Sequence, residues 1–328
     1  MAIGALKERK WRKAWDFACT ATGVAGDAAT HIKAEASARE ARREALKGNF
    51  GEAERWAQRA VELRPSDPGY QQRRGLIGAA RRAALRDWGT PLFPDTQSGQ
   101  GNWWEIDVLG RIRGWDGSTE TVAAPLILDE IKRAALEDVY ALGIYRPWHA
   151  AGPTPLFTQY IKELKPHGTT IALAAILLRQ GLILETDWIE EIDVVVPMAT
   201  SLASFEKRGF ELTEQLGAEL GTRLCIPVVD AFQRSADATT THTAGGYRER
   251  LSELSKSVSL HADRSALLRT AEAVLVVDDV VTYGTTFEVC AKLLKERYPQ
   301  LRVYGAALAY TETDQRRDRA EAELQRGS

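Results

Sequence analysis

Residues 274–286, which read VLVVDDVVTYGTT, constrain the fold more than any other stretch of the chain. Four apolar residues lead into the adjacent carboxylates Asp278 and Asp279, and a Thr-x-Gly-x-Thr turn follows closely. A short apolar run bounded by turn residues is typical of a buried strand. The stretch therefore predicts a strand, a loop at its carboxyl end, and a helix that begins near Thr285.

Strand-like and helix-like segments alternate over the C-terminal half of the chain. The predicted strands are 192–197, 224–229, 273–279 and 303–310, and the predicted helices are 169–181, 202–221 and 286–298. Residues 125–142 also have helical spacing. Alternation with uniformly apolar strands predicts an α/β fold in which helices cover both faces of a parallel sheet. Ligands on such sheets bind beyond the carboxyl ends of the strands.

The loop after the two aspartates has the chemistry of a sugar-phosphate site. Helix N-termini with free N–H groups bind phosphate, and Gly284 lets the backbone approach a ligand closely. Asp278 and Asp279 repel phosphate but accept hydrogen bonds from ribose hydroxyls, directly or through water on a magnesium ion. The hydroxyl donors of the loop are Thr282, Thr285 and Thr286. The structural alternative is a buried strand whose aspartates only cap the next helix.

This stretch resembles the signature of the type I phosphoribosyltransferases, which bind 5-phosphoribosyl 1-diphosphate (PRPP). The resemblance implies the parallel-sheet fold of that family and pentosyltransferase activity. It implies that Asp278 and Asp279 face the ribose as catalytic residues, and that Mg²⁺ is held mainly through the substrate, with these aspartates as candidate ligands. The residues that would bind the 5-phosphate are Thr282, Tyr283, Gly284, Thr285 and Thr286. Tyr283 stands where the family often has Thr or Ser.

A second resemblance is to the ComF competence-protein branch of that family, and it covers about residues 140–312. Residues 193–221 resemble that branch's strand ending in Val-Pro, its Arg-Gly-Phe sequence and the following helix, and residues 155–168 resemble its Leu-Lys segment. The four-cysteine zinc module that often begins ComF-like chains is missing. The three cysteines are far apart and predict neither a disulfide framework nor a zinc site.

The same resemblance implies a pyrophosphate loop after Pro197 and a flexible segment that folds over the site. Backbone N–H groups and cations would bind the diphosphate there. The candidates are Met198, Ala199, Thr200, Lys207 and Arg208 in the loop, and Arg248 and Arg250 in the flexible segment. Related proteins place more basic residues in this loop. Solvated charges without a ligand are the alternative interpretation of the four cations.

Residues 1–90 predict helices throughout, because Ala, Arg, Glu and Leu dominate and β-branched residues are scarce. Residues 45–70 resemble one tetratricopeptide (TPR) repeat, with a break at Gly48-Asn49 and a helix end at Pro65. This region carries 18 Lys and Arg against 11 Asp and Glu. A surface that binds a partner protein and a helical cap on the next domain both remain open.

Three regions are expected: a helical TPR-like region at 1–90, a linker and Trp-rich segment at 91–140 packed on the C-terminal domain, and a phosphoribosyltransferase-like domain at 141–328. The tryptophans of the second region form either a core or interface cluster or a surface that stacks bases. The net charge of −2, with no basic stripe, argues against nucleic acid or membrane partners. We expect a cytoplasmic protein, and the fold is compatible with a homodimer.

Two functions fit the sequence. The first is an enzyme that binds Mg²⁺–PRPP and transfers phosphoribose to a nitrogen acceptor with release of pyrophosphate. The second is a non-catalytic sensor or adaptor that binds PRPP or a nucleotide and holds a partner through its N-terminal helices. The five histidines are scattered, and His242 is only a weak candidate for a general base. The acceptor is not identified by the sequence.

Overall fold

The structure is a computed structural model, and the residues it describes are 15, 18–19, 26–89, 105–106, 111–113, 119–121, 126–127, 135–147, 154–167, 171–201, 205–206, 209–235, 247–261 and 266–311. The chain forms two compact units. One consists of Met1–Pro91 with Gly221–Pro227, and the other of Leu92–Leu220 with Val228–Ser328. The predicted region boundaries at 90 and 140 stay predictions.

The first unit is helical, as predicted for the N-terminal region. Its helices are α1 (Gly26–Leu46), α2 (Phe50–Leu63) and α3 (Pro68–Gly89). Gly48 turns the chain between α1 and α2 with a φ of 84°, in the left-handed region that favours glycine. Alanines fill much of the core and let the helices approach closely, among them Ala41, Ala45, Ala53 and Ala57. The likeness to a TPR repeat remains a prediction.

A charged cluster ties α1 to α3 inside this unit. Both Arg39 Nε and Arg73 Nη1 lie 2.7 Å from carboxylate oxygens of Glu35. Burial alone raises the pKa of Glu35, but the charges and hydrogen bonds of Arg73 and Arg39 outweigh it and bring the pKa to about 2. Glu35 is therefore ionised at neutral pH and joins the two helices electrostatically.

The second unit is built on a five-stranded sheet with the order β4-β5-β10-β9-β6. Its strands are β4 (Leu126–Ile127), β5 (Asp138–Tyr145), β6 (Val194–Pro197), β9 (Ala273–Val281) and β10 (Arg302–Thr311). The four longer strands are parallel, and β4 pairs antiparallel with β5 at one edge. The helices that follow along the chain are α4 (Leu156–His167), α5 (Ile171–Glu185), α6 (Leu212–Leu224), α7 (Tyr247–Ser257) and α8 (Thr285–Arg297).

Helices cover both faces of this sheet, which confirms the predicted α/β class. On one face, Phe287 of α8 packs against Gly305 of β10, where an added Cβ would come within 3.3 Å of the ring. On the other face, Gly181 of α5 packs on Tyr140, while the neighbouring Ala141 joins the core under α8. Successive strand residues point to opposite faces, so the sheet is buried between two helical layers.

Three of the predicted elements are wrong. Residues 125–142 were expected to be helical but contain β4 and the start of β5. A strand buried on both faces lacks alternation, so periodicity alone does not separate it from a buried helix. The predicted strand at 224–229 is reduced to one parallel bridge between Val228 and Val195. The helix predicted to end at Gly181 continues to Glu185, so Gly181 lies inside α5. A glycine is needed there because Tyr140 occupies the space that a side chain would fill.

Two smaller sheets complete the described strands. The short strands β1 (Glu105–Ile106), β2 (Arg111–Arg113) and β3 (Thr119–Thr121) form one antiparallel sheet. The strands β7 (Phe232–Arg234) and β8 (Val258–Leu260) pair antiparallel and flank α7 in sequence. Among the residues that the structure describes, no helix combines the length and apolarity that a membrane crossing needs.

Candidate functional site

The predicted loop lies at the carboxyl edge of the parallel sheet. Strand β9 pairs with β10 past the acidic residues, up to Val281 opposite Tyr310. Gly284 then takes a φ of 71° and is the N-cap residue of α8. Because no side chain caps this helix, the N–H groups of its first turn are open to a ligand. The strand, loop and helix begin and end where the sequence predicted them within two residues.

The two carboxylates are held by the local backbone. The Asp279 N–H donates to Asp278 Oδ1 at 2.9 Å, and the Val280 N–H donates to Asp279 Oδ1 at 2.7 Å. Burial raises the pKa of Asp278 to about 7, and the negative charge of Asp279 adds to this rise. The pair therefore places acceptor oxygens at the end of a buried strand, and Asp278 exchanges its proton close to neutral pH.

Lys165 lies beside this pair, and the sequence reasoning assigned it no role. Its Nζ is 3.1 Å from Asp279 Oδ2 and 5.5 Å from the centre of the Tyr145 ring. Helix α4 can approach β5 closely because Gly143 has no side chain: an added Cβ would lie 2.5 Å from the Phe157 ring. The signal that could have found Lys165 is the Leu-Lys segment at 155–168, which was noticed only as a resemblance.

The threonine turn is tied to the neighbouring strand. The hydroxyls of Thr282 and Thr311 are 2.9 Å apart, so the turn is anchored to the end of β10. Thr285 is buried and Thr286 is half-buried. The Tyr283 ring lies under the guanidinium of Arg250, whose Cζ is 5.1 Å from the ring centre. The structure thus brings one candidate of the flexible segment to the predicted phosphate-binding turn, whereas Arg248 is exposed.

The first residue of the loop after β6, Met198, is buried in the core. The Met198 N–H donates to Val277 O at 2.9 Å, and the buried Met198 sulfur lies 3.2 Å from Cys290 Sγ. The Met198 carbonyl accepts a hydrogen bond from the Thr213 hydroxyl at 2.6 Å. Met198 therefore has neither its N–H nor its side chain available for a diphosphate. Ala199 and Thr200 remain half-buried after it, and Lys207 and Arg208 lie outside the described residues.

Arg234, at the end of β7, is a second cation that sequence reasoning missed. Its Nε and Nη2 atoms are buried without a hydrogen-bond partner, as is Oε2 of Glu253. Burial lowers the pKa of Arg234, and the negative charge of Asp278 opposes that change. Buried unpaired guanidinium nitrogens are costly unless something satisfies them. No sequence pattern distinguished Arg234 from the other arginines of the chain.

The acidic pair fits a magnesium ion that is shared with a substrate. Mg²⁺ prefers oxygen ligands and is usually bound through one or two carboxylates together with substrate phosphates and water. Across the described ranges, no group of three or more His, Cys, Asp and Glu residues could hold a metal ion. Asp278 and Asp279 therefore have the right donor chemistry for such an ion but too few ligands for a dedicated cage.

Comparison with protein families finds a match within this unit. Residues 183–323 match the family model of the phosphoribosyl transferase domain. The match contains β6, β9, α8 and β10, together with the acidic pair and the threonine turn. It supports the type I phosphoribosyltransferase family, phosphoribosyl transfer in general, and a ribose phosphate as the kind of substrate. No curated protein matches the chain.

Proposed function

We propose that the chain is a ComF-like phosphoribosyltransferase that binds Mg²⁺–PRPP and transfers phosphoribose to a nitrogen acceptor, with release of pyrophosphate. One observation carries the proposal: two carboxylates end a buried parallel strand, and an uncapped helix N-terminus with threonine hydroxyls follows at once. Ribose hydroxyls need acceptors and the 5-phosphate needs donors. This loop offers both within residues 278–286.

The proposed roles follow the chemistry of each group. Asp278 and Asp279 accept hydrogen bonds from the ribose hydroxyls. The turn donates to the 5-phosphate through its N–H groups and hydroxyls, and the residues of that turn are Thr282, Tyr283, Gly284, Thr285 and Thr286. At the diphosphate end, Ala199 and Thr200 supply donors, and Lys207, Arg208, Arg248 and Arg250 are the candidate cations.

The transfer breaks the bond between C1 of the ribose and the diphosphate oxygen and forms a bond from C1 to the acceptor nitrogen. Positive charge builds up on the ribose ring in the transition state. Asp278 and Asp279 orient the ring, and their negative charge stabilises it as the leaving group departs. Mg²⁺, when bound, neutralises the charge of the diphosphate. The acceptor nitrogen releases its proton to water after attack, and among the residues that the structure describes none is assigned as the base.

The test is calorimetric titration of Mg²⁺–PRPP into the wild type and into the Asp278→Asn, Asp279→Asn double variant. We expect binding that the double variant loses. The control is Glu272→Gln with Glu296→Gln, which removes the same charge from exposed positions, one of them just before the amino end of β9. Equal binding by all three proteins, or none by a folded wild type, would overturn the proposal.

A second candidate is a non-catalytic sensor or adaptor with the same ligand site and a partner-binding helical N-terminus. The position of Met198 favours it. Met198 is the first residue of the loop expected to bind the diphosphate, but its N–H is hydrogen-bonded to Val277 and its side chain is buried in the core. Pyrophosphate release separates the two functions. An enzyme releases pyrophosphate from PRPP when supplied with its acceptor, whereas a sensor binds PRPP and leaves it intact across a screen of purine, pyrimidine and amine acceptors.

A further inference from the structure

A polar groove runs along the helical unit between α2 and α3. Its volume is about 1070 Å³, and both helices contribute to its walls. Arg55 and Arg59 of α2 and Arg74 and Arg82 of α3 line it. The phosphoribosyl site lies in the other unit, so nothing in the proposed transfer reaction uses this groove.

The four arginines of the groove differ in their partners, and Arg55 forms an ion pair with Glu52. Arg74 and Arg82 are exposed, and within the part of the chain that the structure describes they have no hydrogen bond or ion pair. Arg59 is held in place by stacking, with its Cζ 4.2 Å from the centre of the Trp15 ring. The four arginines outnumber the two glutamates of the lining, so the groove has a net positive charge and a positive potential.

Two glycines open the α3 side of the groove. Gly75 and Gly78 lie three residues apart inside α3 and therefore on one face of the helix. An added Cβ at Gly75 would meet nothing within 4 Å, and one at Gly78 would make only an ordinary contact with Arg82. Packing within the unit therefore does not require a glycine at either position. Each glycine nevertheless destabilises the helix by about 0.5–1 kcal/mol relative to alanine. Their absent side chains let another chain approach the helix backbone between the arginines.

We propose that this groove binds an acidic, extended segment of a partner protein. Arg74 and Arg82 are about 12 Å apart along the helix, from the rise of about 1.5 Å per residue. Carboxylates four residues apart on an extended peptide have nearly the same separation, at about 3.3 Å per residue. The basic surplus of residues 1–90 agrees with an acidic partner.

The two carboxylates in the groove favour a peptide over nucleic acid. Glu54 and Glu62 line the same walls as the arginines. Glu54 lies 2.8 Å from Arg81, and Glu62 accepts a hydrogen bond from Gln58 at 2.9 Å. A phosphate backbone with a charge at every nucleotide would meet both carboxylates, whereas a peptide can place neutral residues opposite them.

The test measures fluorescence anisotropy of a labelled (Glu-Ser)₆ peptide with the full chain at low salt. We expect binding that weakens at least tenfold in the Arg74→Glu, Arg82→Glu variant and in Gly75→Leu, which fills the groove. The matched control is Lys33→Glu with Lys47→Glu, an equal charge change on the same unit outside the groove lining. The control should change affinity less than twofold, and all variants should bind Mg²⁺–PRPP as the wild type does.

Three results would overturn the proposal. The first is absence of peptide binding by the folded wild type. The second is an equal loss in the groove and control variants, which would show attraction by net charge alone. The third is tighter binding of a single-stranded oligonucleotide of twelve nucleotides that also depends on Arg74 and Arg82, which would make the groove a nucleic-acid site. Because PRPP titration is a separate readout, failure here leaves the phosphoribosyl proposal untouched.

Discussion

Lys165 Nζ lies 3.1 Å from Asp279 Oδ2, and this ion pair joins helix α4 to the carboxyl end of strand β9. The two carboxylates of the site repel each other. The positive charge of Lys165 offsets this repulsion. It also lowers the pKa of Asp278, against the larger effect of burial. The amine therefore favours the ionised form of both carboxylates, although burial still holds the pKa of Asp278 at about 7.

Replacing Lys165 by methionine should weaken Mg²⁺–PRPP binding by roughly tenfold and lower stability by about 1–3 kcal/mol, because a partly buried carboxylate loses its partner. Titration calorimetry and thermal unfolding measure the two effects. Lys162→Met is the control, since Lys162 lies on the same helix and has no ion pair among the described residues. If both variants bind PRPP as the wild type does, the ion pair serves folding alone.

Asp278→Asn should stabilise the fold at alkaline pH. Burial raises the pKa of this carboxyl from 3.8 to about 7, so the stability that its protonated form confers is lost as the pH rises through about 7. Removing the charge should raise the free energy of unfolding at pH 8 by an amount on the order of 2–4 kcal/mol. Thermal unfolding at pH 5 and pH 8 measures the change, which should be less than half as large at pH 5, because the unfolded chain loses this proton above pH 3.8.

The comparison for that experiment is Asp279→Asn, which breaks the ion pair with Lys165 and should not stabilise the fold at either pH. If the thermal unfolding midpoint of Asp278→Asn at pH 8 equals that of the wild type, burial of the Asp278 carboxylate does not destabilise the fold. Stabilisation by removing a residue of the proposed site is the pattern expected where function opposes stability.

Gly284→Ala should damage the phosphate-binding turn. Gly284 has a φ of 71°, and an L-residue there costs about 1–2 kcal/mol. Gly48→Ala is the matched control, because Gly48 has a φ of 84° in the helical unit. Both variants should lose similar stability in thermal unfolding, but only Gly284→Ala should lose Mg²⁺–PRPP affinity, by at least tenfold. Unchanged affinity in Gly284→Ala would argue against a phosphate at this turn.

Acid should unfold the helical unit through Glu35. The pKa of this carboxyl is lowered from 4.5 to about 2, so its contribution is fully present above pH 4.5 and is lost as the pH falls towards 2. That contribution is about 2–3 kcal/mol. Circular dichroism between pH 6 and pH 2 should show a smaller pH dependence in Glu35→Gln than in the wild type. The control is Glu54→Gln, which removes an exposed ion pair and should leave the acid transition nearly unchanged. An identical acid transition in all three proteins would contradict the role of Glu35.

Local sequence predicted the strand, loop and helix that hold the candidate site. Asp278, Gly284 and the following helix are consecutive in the chain, so apolar content, turn chemistry and helix start all point to one structure. The same reasoning missed Lys165 of α4, which pairs with Asp279, and Arg234 of β7, which interacts electrostatically with Asp278. Such interactions depend on tertiary packing: the Leu-Lys segment at 155–168 pointed to Lys165 only by resemblance, and no local pattern marks Arg234.

The errors at secondary-structure level have a related cause. Strand β5 is buried on both faces, with Val139, Tyr140 and Ala141 all inaccessible to solvent. Its apolar pattern therefore reflects the layers around it and not its own backbone conformation. The interior position of Gly181 likewise depends on Tyr140, a residue far away in sequence.

The helical unit has a discontinuous sequence. Its last piece, Gly221–Pro227, follows residues 92–220 of the α/β unit in the sequence. Cys225 from that piece packs in the core formed by the helices of the first 91 residues. The Arg42 side chain donates to the carbonyl of Leu224 at 3.1 Å. During synthesis, the N-terminal helices must therefore emerge from the ribosome well before the segment that completes their core, and a gene cut after codon 91 would encode a unit with a gap in its interior.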